Sequence, residues 1–311
     1  MSENSSKVTE LFTAKKIAIP IVIGLLVSGY LLWKNTDWDQ FQNIDWNVEF
    51  FFWMFVALLM MACRDFGYMY RIRVLTHNKI SWRHSFDVIM LWEFVSAVTP
   101  SVVGGTEAAL YIISAGKSTA IVMITAFFDE LFYVLTVPLV LIFIGTSNLF
   151  PVELQKKIFG ITFSTEGLFW VGYGFMFLLL SIITYGILLN PKGFKAIILN
   201  VFKIKFLRKW RYSAIQVGDD IILTSKQMKK ESMWFWIKAF VATFLGWTAR
   251  FWVVNFLILA FVAVDDHLLI YGRQLVMWVI MLISPTPGGA GIAEFAFNGF
   301  LKDFIPIGLA G

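Results

Sequence analysis

Asp129 and Glu130 stand near the middle of one long apolar stretch, Ser118–Ile144, and Arg250 stands inside another, Trp234–Val264. A charge at the centre of a membrane span costs at least about 2.5 kcal/mol on insertion scales, so it must be paired or line a wet cavity. Arg250 with Glu130 or Asp129 is the pair this distribution predicts. It serves either as a static tie between two helices or as part of a path for a charged substrate. Neighbouring carboxylates on a helix point about 100° apart, so Asp129 and Glu130 do not form an acid–base dyad. Glu93 and Glu107 add acidic character nearby in sequence.

A second set of residues carries backbone chemistry. The run Ser284-Pro285-Thr286-Pro287-Gly288-Gly289-Ala290-Gly291-Ile292-Ala293-Glu294 follows one apolar stretch, Leu268–Ile283, and precedes another, Phe295–Leu301. Pro lacks the N–H donor, and Gly costs about 1 kcal/mol against Ala in a helix, so the run cannot continue a helix. Inside lipid, freed backbone groups are tolerated only against protein or in a water-lined cavity. The run therefore predicts a broken helix facing a cavity; the plain alternative is an extramembrane turn. Glu294 falls in the first turn of the following helix, where the helix dipole favours a carboxylate.

Other chemistries find no footing. One cysteine, Cys63, excludes an intrachain disulfide and a Cys-cluster metal site. The three histidines, His77, His84 and His267, are too few and too scattered for a zinc centre. No cofactor-binding motif and no nucleophile–base constellation stands out. The net charge of +5 is concentrated in a few loops, so it reports topology and lipid contact rather than nucleic acid.

The elements that position these residues are membrane spans. The 311 residues are 58% apolar and 15% charged, with a mean hydropathy of +0.72. That composition describes an integral membrane protein. Thirteen Trp and thirty-two Phe suit interfacial belts and lipid-facing surfaces. Residues 1–14 form a polar tail, and 15–311 read as a single transmembrane domain. Lys15 and Lys16 precede a first span, Ile17–Trp33, read as a retained signal anchor. A second span covers Val48–Tyr70, with Arg64 snorkelling, and a basic loop with Arg71, Arg73, Lys79 and Arg83 follows. Phe86–Val98 and Ala108–Ala115 are each too short to span about 30 Å, and they flank Pro100, Gly104, Gly105 and Glu107. Then come Ser118–Ile144, a modest loop over 147–166, the span Gly167–Leu189, a polar segment 190–231, and one long helix over Trp234–Val264. The 190–231 segment holds ten Lys or Arg, with Phe194, Ile197, Ile198 and Val201 at helical spacing. It reads as an amphipathic helix on an anionic leaflet, against a plain solvated basic loop.

Basic loops face the cytoplasm. The N-terminus, the 71–83 loop and the 190–231 loop can all do so only if the 86–116 unit returns to the side it came from. By the same reasoning the 268–301 unit starts from the outer side. Pro100-x-x-x-Gly104-Gly105-x-Glu107 and Pro287-Gly288-Gly289-x-Gly291-x-x-Glu294 each place Glu seven residues after Pro. Two short apolar pieces around a break, repeated from opposite sides, is the pattern of an inverted repeat with broken helices meeting near the midplane.

At these motifs the sequence resembles the lysylphosphatidylglycerol synthase transmembrane family, also called flippase-like, the membrane half of the multiple peptide resistance factor. The family's Pro-x-Pro-Gly-Gly-x-Gly-x-x-Glu is matched by Pro285, Pro287, Gly288, Gly289, Gly291 and Glu294, and its earlier Pro-Gly region by Pro100, Gly104 and Gly105. Members tend to carry an acidic residue followed by Arg in the fourth apolar segment, where this chain has Asp129-Glu130. They also close with a further span, so the resemblance implies a shortened member or a fragment. Nothing resembles the family's soluble aminoacyl-transfer domain.

The expectation is an all-α polytopic protein of the cytoplasmic membrane, N-terminus inside, with two broken-helix, re-entrant hairpins. The resemblance implies movement of a lipid or lipid-linked amphiphile between leaflets. The alternative is a membrane-embedded transferase or an accessory subunit of a separate synthase. Expected partners are a membrane lipid as substrate, the anionic leaflet through 190–231, and either a synthase or a second copy of the chain.

Overall fold

The computed structural model describes residues 46–98, 118–150, 155–158, 161–282 and 292–305. The expected tail and first span lie outside these residues. So do the breaks at Pro100, Gly104, Gly105 and Glu107 and at Pro285, Pro287, Gly288, Gly289 and Gly291. The described architecture is α-helical, with one small antiparallel ribbon.

Helix α1 runs Val48–Leu75 and α2 runs Trp82–Val98. Asn47 starts α1 by accepting from the Phe50 N–H at 2.8 Å, which satisfies one of the donors that a helix start leaves free. The turn to α2 uses left-handed backbone at His77 and Asn78, φ 52° and 58°. The Arg73 guanidinium donates to the Ile80 carbonyl and stacks on the Trp82 ring, which fixes the turn. The sequence pattern ends this span at Tyr70. The helix instead continues through Arg71 and Arg73, because apolar Ile72, Val74 and Leu75 still have neighbours to pack against and both arginines find acceptors.

Helix α3 covers Ser118–Ile144. Pro138 within it has no N–H for the Val134 carbonyl, which would otherwise be its partner one turn back. The Tyr173 hydroxyl donates to that carbonyl at 3.1 Å. A one-turn helix at Thr146–Leu149 and the ribbon β1 (Gln155–Ile158) and β2 (Ile161–Ser164) occupy the region where the sequence predicts a loop. Helix α4, Thr165–Thr184, is capped by Ser164, whose hydroxyl accepts from the Gly167 N–H at 3.0 Å; its last turn, Tyr185–Leu189, widens to a π-helix.

The basic segment is helical over Phe194, Ile197, Ile198 and Val201, as their spacing predicts, and carries a second helix after it. It folds into a hairpin of α5, Pro191–Val201, and α6, Arg211–Met228. Asn190 caps α5 at the Gly193 N–H, 2.8 Å, with Pro191 in the first turn. Lys195 pairs with Asp219 at 2.5 Å across the hairpin. Ser232 then caps α7, Met233–Phe261, which is followed by α8, His267–Leu282, and α9, Ile292–Leu301.

Among the described residues four helices are long and apolar enough to cross a membrane: Val48–Leu75, Ile121–Ile144, Thr165–Leu189 and Met233–Phe261. Exposed Phe51, Phe55, Leu58 and Leu59 on α1 and Leu139, Ile142 and Phe143 on α3 give them lipid-facing surfaces. The protein is an integral membrane protein.

Helices α1 and α7 form an antiparallel frame. Phe50 meets Phe261, Trp53 meets Phe256, and Tyr68 meets Trp247. At Gly67 a Cβ would stand 3.1 Å from the Gly246 Cα and 3.2 Å from the Ala242 carbonyl, so a side chain there would press on the backbone of α7. Ala242-x-x-x-Gly246 is the small-xxx-small spacing of membrane helix contacts.

Two apolar clusters mark the ends of the bundle. At the basic end Leu75, Ile121, Ile124, Ile187, Met228 and Phe235 pack together, and His77 meets Glu231 at 3.2 Å. At the other end Val140, Leu149, Phe169, Ile258, Ile270 and Phe300 pack together.

Candidate functional site

Among the described residues, two pairs of charged side chains join different helices inside the bundle, and one carboxylate of α3 remains outside them. The first pair is Arg71 of α1 with Asp129 of α3. The Arg71 Nη1 also donates to the Thr243 hydroxyl on α7 at 3.3 Å, and the Trp247 Nε1–H donates to the same Asp129 oxygen at 2.8 Å. Three helices are thus tied at one carboxylate.

The second pair is Arg250 of α7 with Glu93 of α2, Nη1 to Oε1 3.5 Å. The guanidinium also lies 5.4 Å from the Trp247 ring centre and 4.6 Å from that of Trp278 on α8. Such cation–π contacts gain when shielded from water. The sequence predicts Glu130 or Asp129 as the partner of Arg250. The structure overturns that pairing. Asp129 is taken by Arg71, a residue that the sequence pattern assigns to a loop. Arg250 turns to the helix that leads to the first Pro-Gly run.

The remainder is Glu130. Its Oε2 is buried and has no hydrogen-bond partner in the protein. Thr125 Oγ1 and Tyr133 OH, within two turns on the same helix, are in the same state, as is Arg71 Nε. Buried polar atoms without partners are uncommon enough to ask for a reason. An unpaired ionised carboxylate at this depth costs about 2.5–3.5 kcal/mol on insertion scales.

Arg250 is where the two helices that lead to the Pro-Gly runs meet. Glu93 lies five residues before the end of α2, which leads to Pro100–Gly105. Trp278 lies four residues before the end of α8, which leads to Pro285–Gly291. The breaks themselves lie outside the described residues. Glu294 sits on the first turn of α9, and its side chain is outside them as well.

The second limb pair is clamped at its far end by Arg273, which no sequence pattern singles out. Its Nη1 donates to the Phe300 carbonyl at 2.9 Å and to Asp303 Oδ2 at 2.8 Å, and its Nε donates to the Asn148 carbonyl at 3.0 Å. The Phe300 carbonyl belongs to the last turn of α9, where a cation is favoured. The start of α8 and the end of α9 therefore lie side by side. Helices of 16 and 10 residues reach about 24 and 15 Å, less than the hydrocarbon thickness. Among the described residues no group of three or more His, Cys, Asp or Glu is arranged to hold a metal ion.

Comparison with known proteins adds two findings. The family described as lysylphosphatidylglycerol synthase TM region matches residues 18–311. A UPF0104 membrane protein of Archaeoglobus fulgidus is 23% identical over 313 residues, covering 93% of this chain and 89% of the relative. No solved structure matches the chain.

Proposed function

The chain belongs to the family of the lysylphosphatidylglycerol synthase transmembrane region, and from that membership we propose that it moves a lipid or lipid-linked amphiphile between the two leaflets. The observation that carries this reading is the meeting of both break-bearing limbs at Arg250, through Glu93 from one and Trp278 from the other. A path for a headgroup needs polar groups near the midplane that the protein itself leaves unsatisfied. Glu130, Tyr133 and Thr125 have that character.

In this reading the two breaks line the path. Pro100, Gly104, Gly105 and Glu107 stand on one side, and Pro285, Pro287, Gly288, Gly289, Gly291 and Glu294 on the other. The unit 82–117 is a hairpin that returns to the basic end. The packing of Leu75 with Ile121 supports this, since the chain leaves and regains that end near these residues. The Arg273 clamp supports the same for the second unit. An inverted repeat is supported by spacing: α1 and α7 begin at Val48 and Met233, α2 and α8 at Trp82 and His267, both 185 residues apart. The long helices are antiparallel, as such a repeat requires. The basic end faces the cytoplasm. The hairpin of α5 and α6 then meets an anionic surface through Lys203, Lys205, Arg208, Lys209 and Arg211, among exposed Ile204, Phe206 and Tyr212.

The experiment is reconstitution of the purified chain in vesicles holding a fluorescent phospholipid in both leaflets. A membrane-impermeant quencher should bleach nearly all the probe with the protein present and about half without it. The lipid's mass should stay unchanged. A covalently altered lipid would establish a transferase instead, and half-bleaching across phosphatidylglycerol, phosphatidylethanolamine and undecaprenyl phosphate probes would end the transport reading.

A further inference from the structure

We propose that Glu130 is a proton-binding site inside the membrane, and that binding and release of this proton drive the lipid movement proposed above. The first half stands on the geometry alone. The second rests on the proposed function.

The argument begins with the counter-ions. Among the described residues, each cation within the spans packed against α3 is engaged, and the others lie towards the ends. On α1, Arg71 is held by Asp129 and Thr243, and Arg64 by Asp65 at 2.7 Å. On α7, Arg250 is held by Glu93 and two indoles, and Lys238 stands 5.5 Å from the Trp234 ring centre towards the basic end. On α8, Arg273 is committed to Asn148, Phe300 and Asp303 at the other end, where His267 also lies. On α6, Asp219 is taken by Lys195, and Asp220 and Lys226 lie beyond the span. Helix α4 carries no charged side chain between Gly167 and Thr184; its Tyr173 hydroxyl is spent on the Val134 carbonyl.

Within these spans no cation among the described residues is left to pair with Glu130, whose Oε2 is buried without a partner. Its immediate neighbour on the helix is Asp129, whose negative charge is fixed by Arg71 and Trp247. One carboxyl of the tandem accepts from Arg71 and Trp247. The other has an oxygen without a donor. A carboxylate in that place is tolerable only while water or a cation reaches it; closed off, it must carry a proton. A group whose charge depends on whether its cavity is open is what couples a proton to an alternation between states. The step is simple in its balance: a carboxylate oxygen takes a proton from water on one side and returns it to water on the other.

Two measurements on the full chain in vesicles of phosphatidylglycerol and phosphatidylethanolamine test this. Infrared difference spectra across pH read the C=O band of a protonated carboxyl. Wild type should show a titrating band that E130Q lacks and E130D restores. Absence of such a difference overturns the site. Probe exchange is then followed with and without an imposed pH gradient. One pH unit supplies about a tenfold ratio of proton activity, so the direction of accumulation should be biased by up to about tenfold, and E130Q should lose the bias. Exchange in wild type that ignores the gradient overturns the coupling while the transport reading stands. No exchange of any probe under any condition overturns transport and the coupling with it, and the infrared band still decides the site.

Discussion

Arg250 reaches across the bundle to Glu93, 3.5 Å away, and leaves both acidic residues of α3 to other fates. The contact joins α7 to the helix that leads to the first Pro-Gly run. Trp278, 4.6 Å from the same guanidinium, joins it to the helix that leads to the second.

Removing one member of this pair strands the other in low dielectric. R250L or E93L alone should cost about 2–3 kcal/mol of stability, and the double variant should recover at least about 1 kcal/mol of their sum. Thermal unfolding in detergent reads this. R250L combined with D129L, which are linked only through Trp247, should couple less than R250L with E93L, and stronger coupling there would contradict the pairing.

The Tyr173 hydroxyl substitutes for the N–H that Pro138 lacks. Y173F should cost about 0.6–1.7 kcal/mol, the range for hydrogen bonds between membrane helices. In a P138A background the N–H returns, and the same change should cost much less. Equal costs in both backgrounds would show that the hydroxyl does not serve the freed carbonyl.

The frame of α1 and α7 closes on Gly67. G67L must push the two helix backbones away from each other, and should destabilise by about 1–3 kcal/mol. A neighbouring lipid-facing change, Leu59→Ala, should be nearly neutral. The contrast is measured as the difference in unfolding midpoint, and no difference would remove the close approach.

Topology is read with single cysteines placed at Lys79, Lys117 and Lys302 in a Cys63→Ala background. A membrane-impermeant thiol reagent added to whole cells should miss 79 and 117 and reach 302. Labelling of 117 without 79 would mean that the 82–117 unit crosses. Labelling of 79 and 117 without 302 would invert the orientation and leave the hairpin intact.

The class of the fold was plain from composition, and the main helices were legible from their apolar runs, since lipid demands unbroken helices of known length. The end of α1 was not. Arg71 and Arg73 look like loop residues until Asp129 and the Ile80 carbonyl supply their partners, and those lie far along or across the chain. The wrong partner for Arg250 has the same root. Depth along a span can be counted from sequence, but the direction a side chain faces depends on helix rotation, which packing at Gly67 and Gly246 sets. Glu93 was visible as an acid near the first break, and Trp247, one turn before Arg250, was the signal for the aromatic side of its cage. The helix α5 was legible from Phe194, Ile197, Ile198 and Val201 at helical spacing, whereas its partner α6 and the Lys195–Asp219 pair that closes the hairpin depend on contacts across the turn.

The bonds of this interior join residues made at very different times. Arg71 precedes Asp129 by 58 residues and Thr243 by 172. Glu93 precedes Arg250 by 157. At synthesis rates of about 5–20 residues per second, Glu93 waits roughly 8–30 s for its partner. Arg71 and Asp129 can pair within the first half of the protein, but Glu93 enters the bilayer before the helix that holds its cation is made. It needs shelter at the insertion machinery until α7 arrives, and a ribosome stalled before residue 233 would leave a nascent chain fit for degradation.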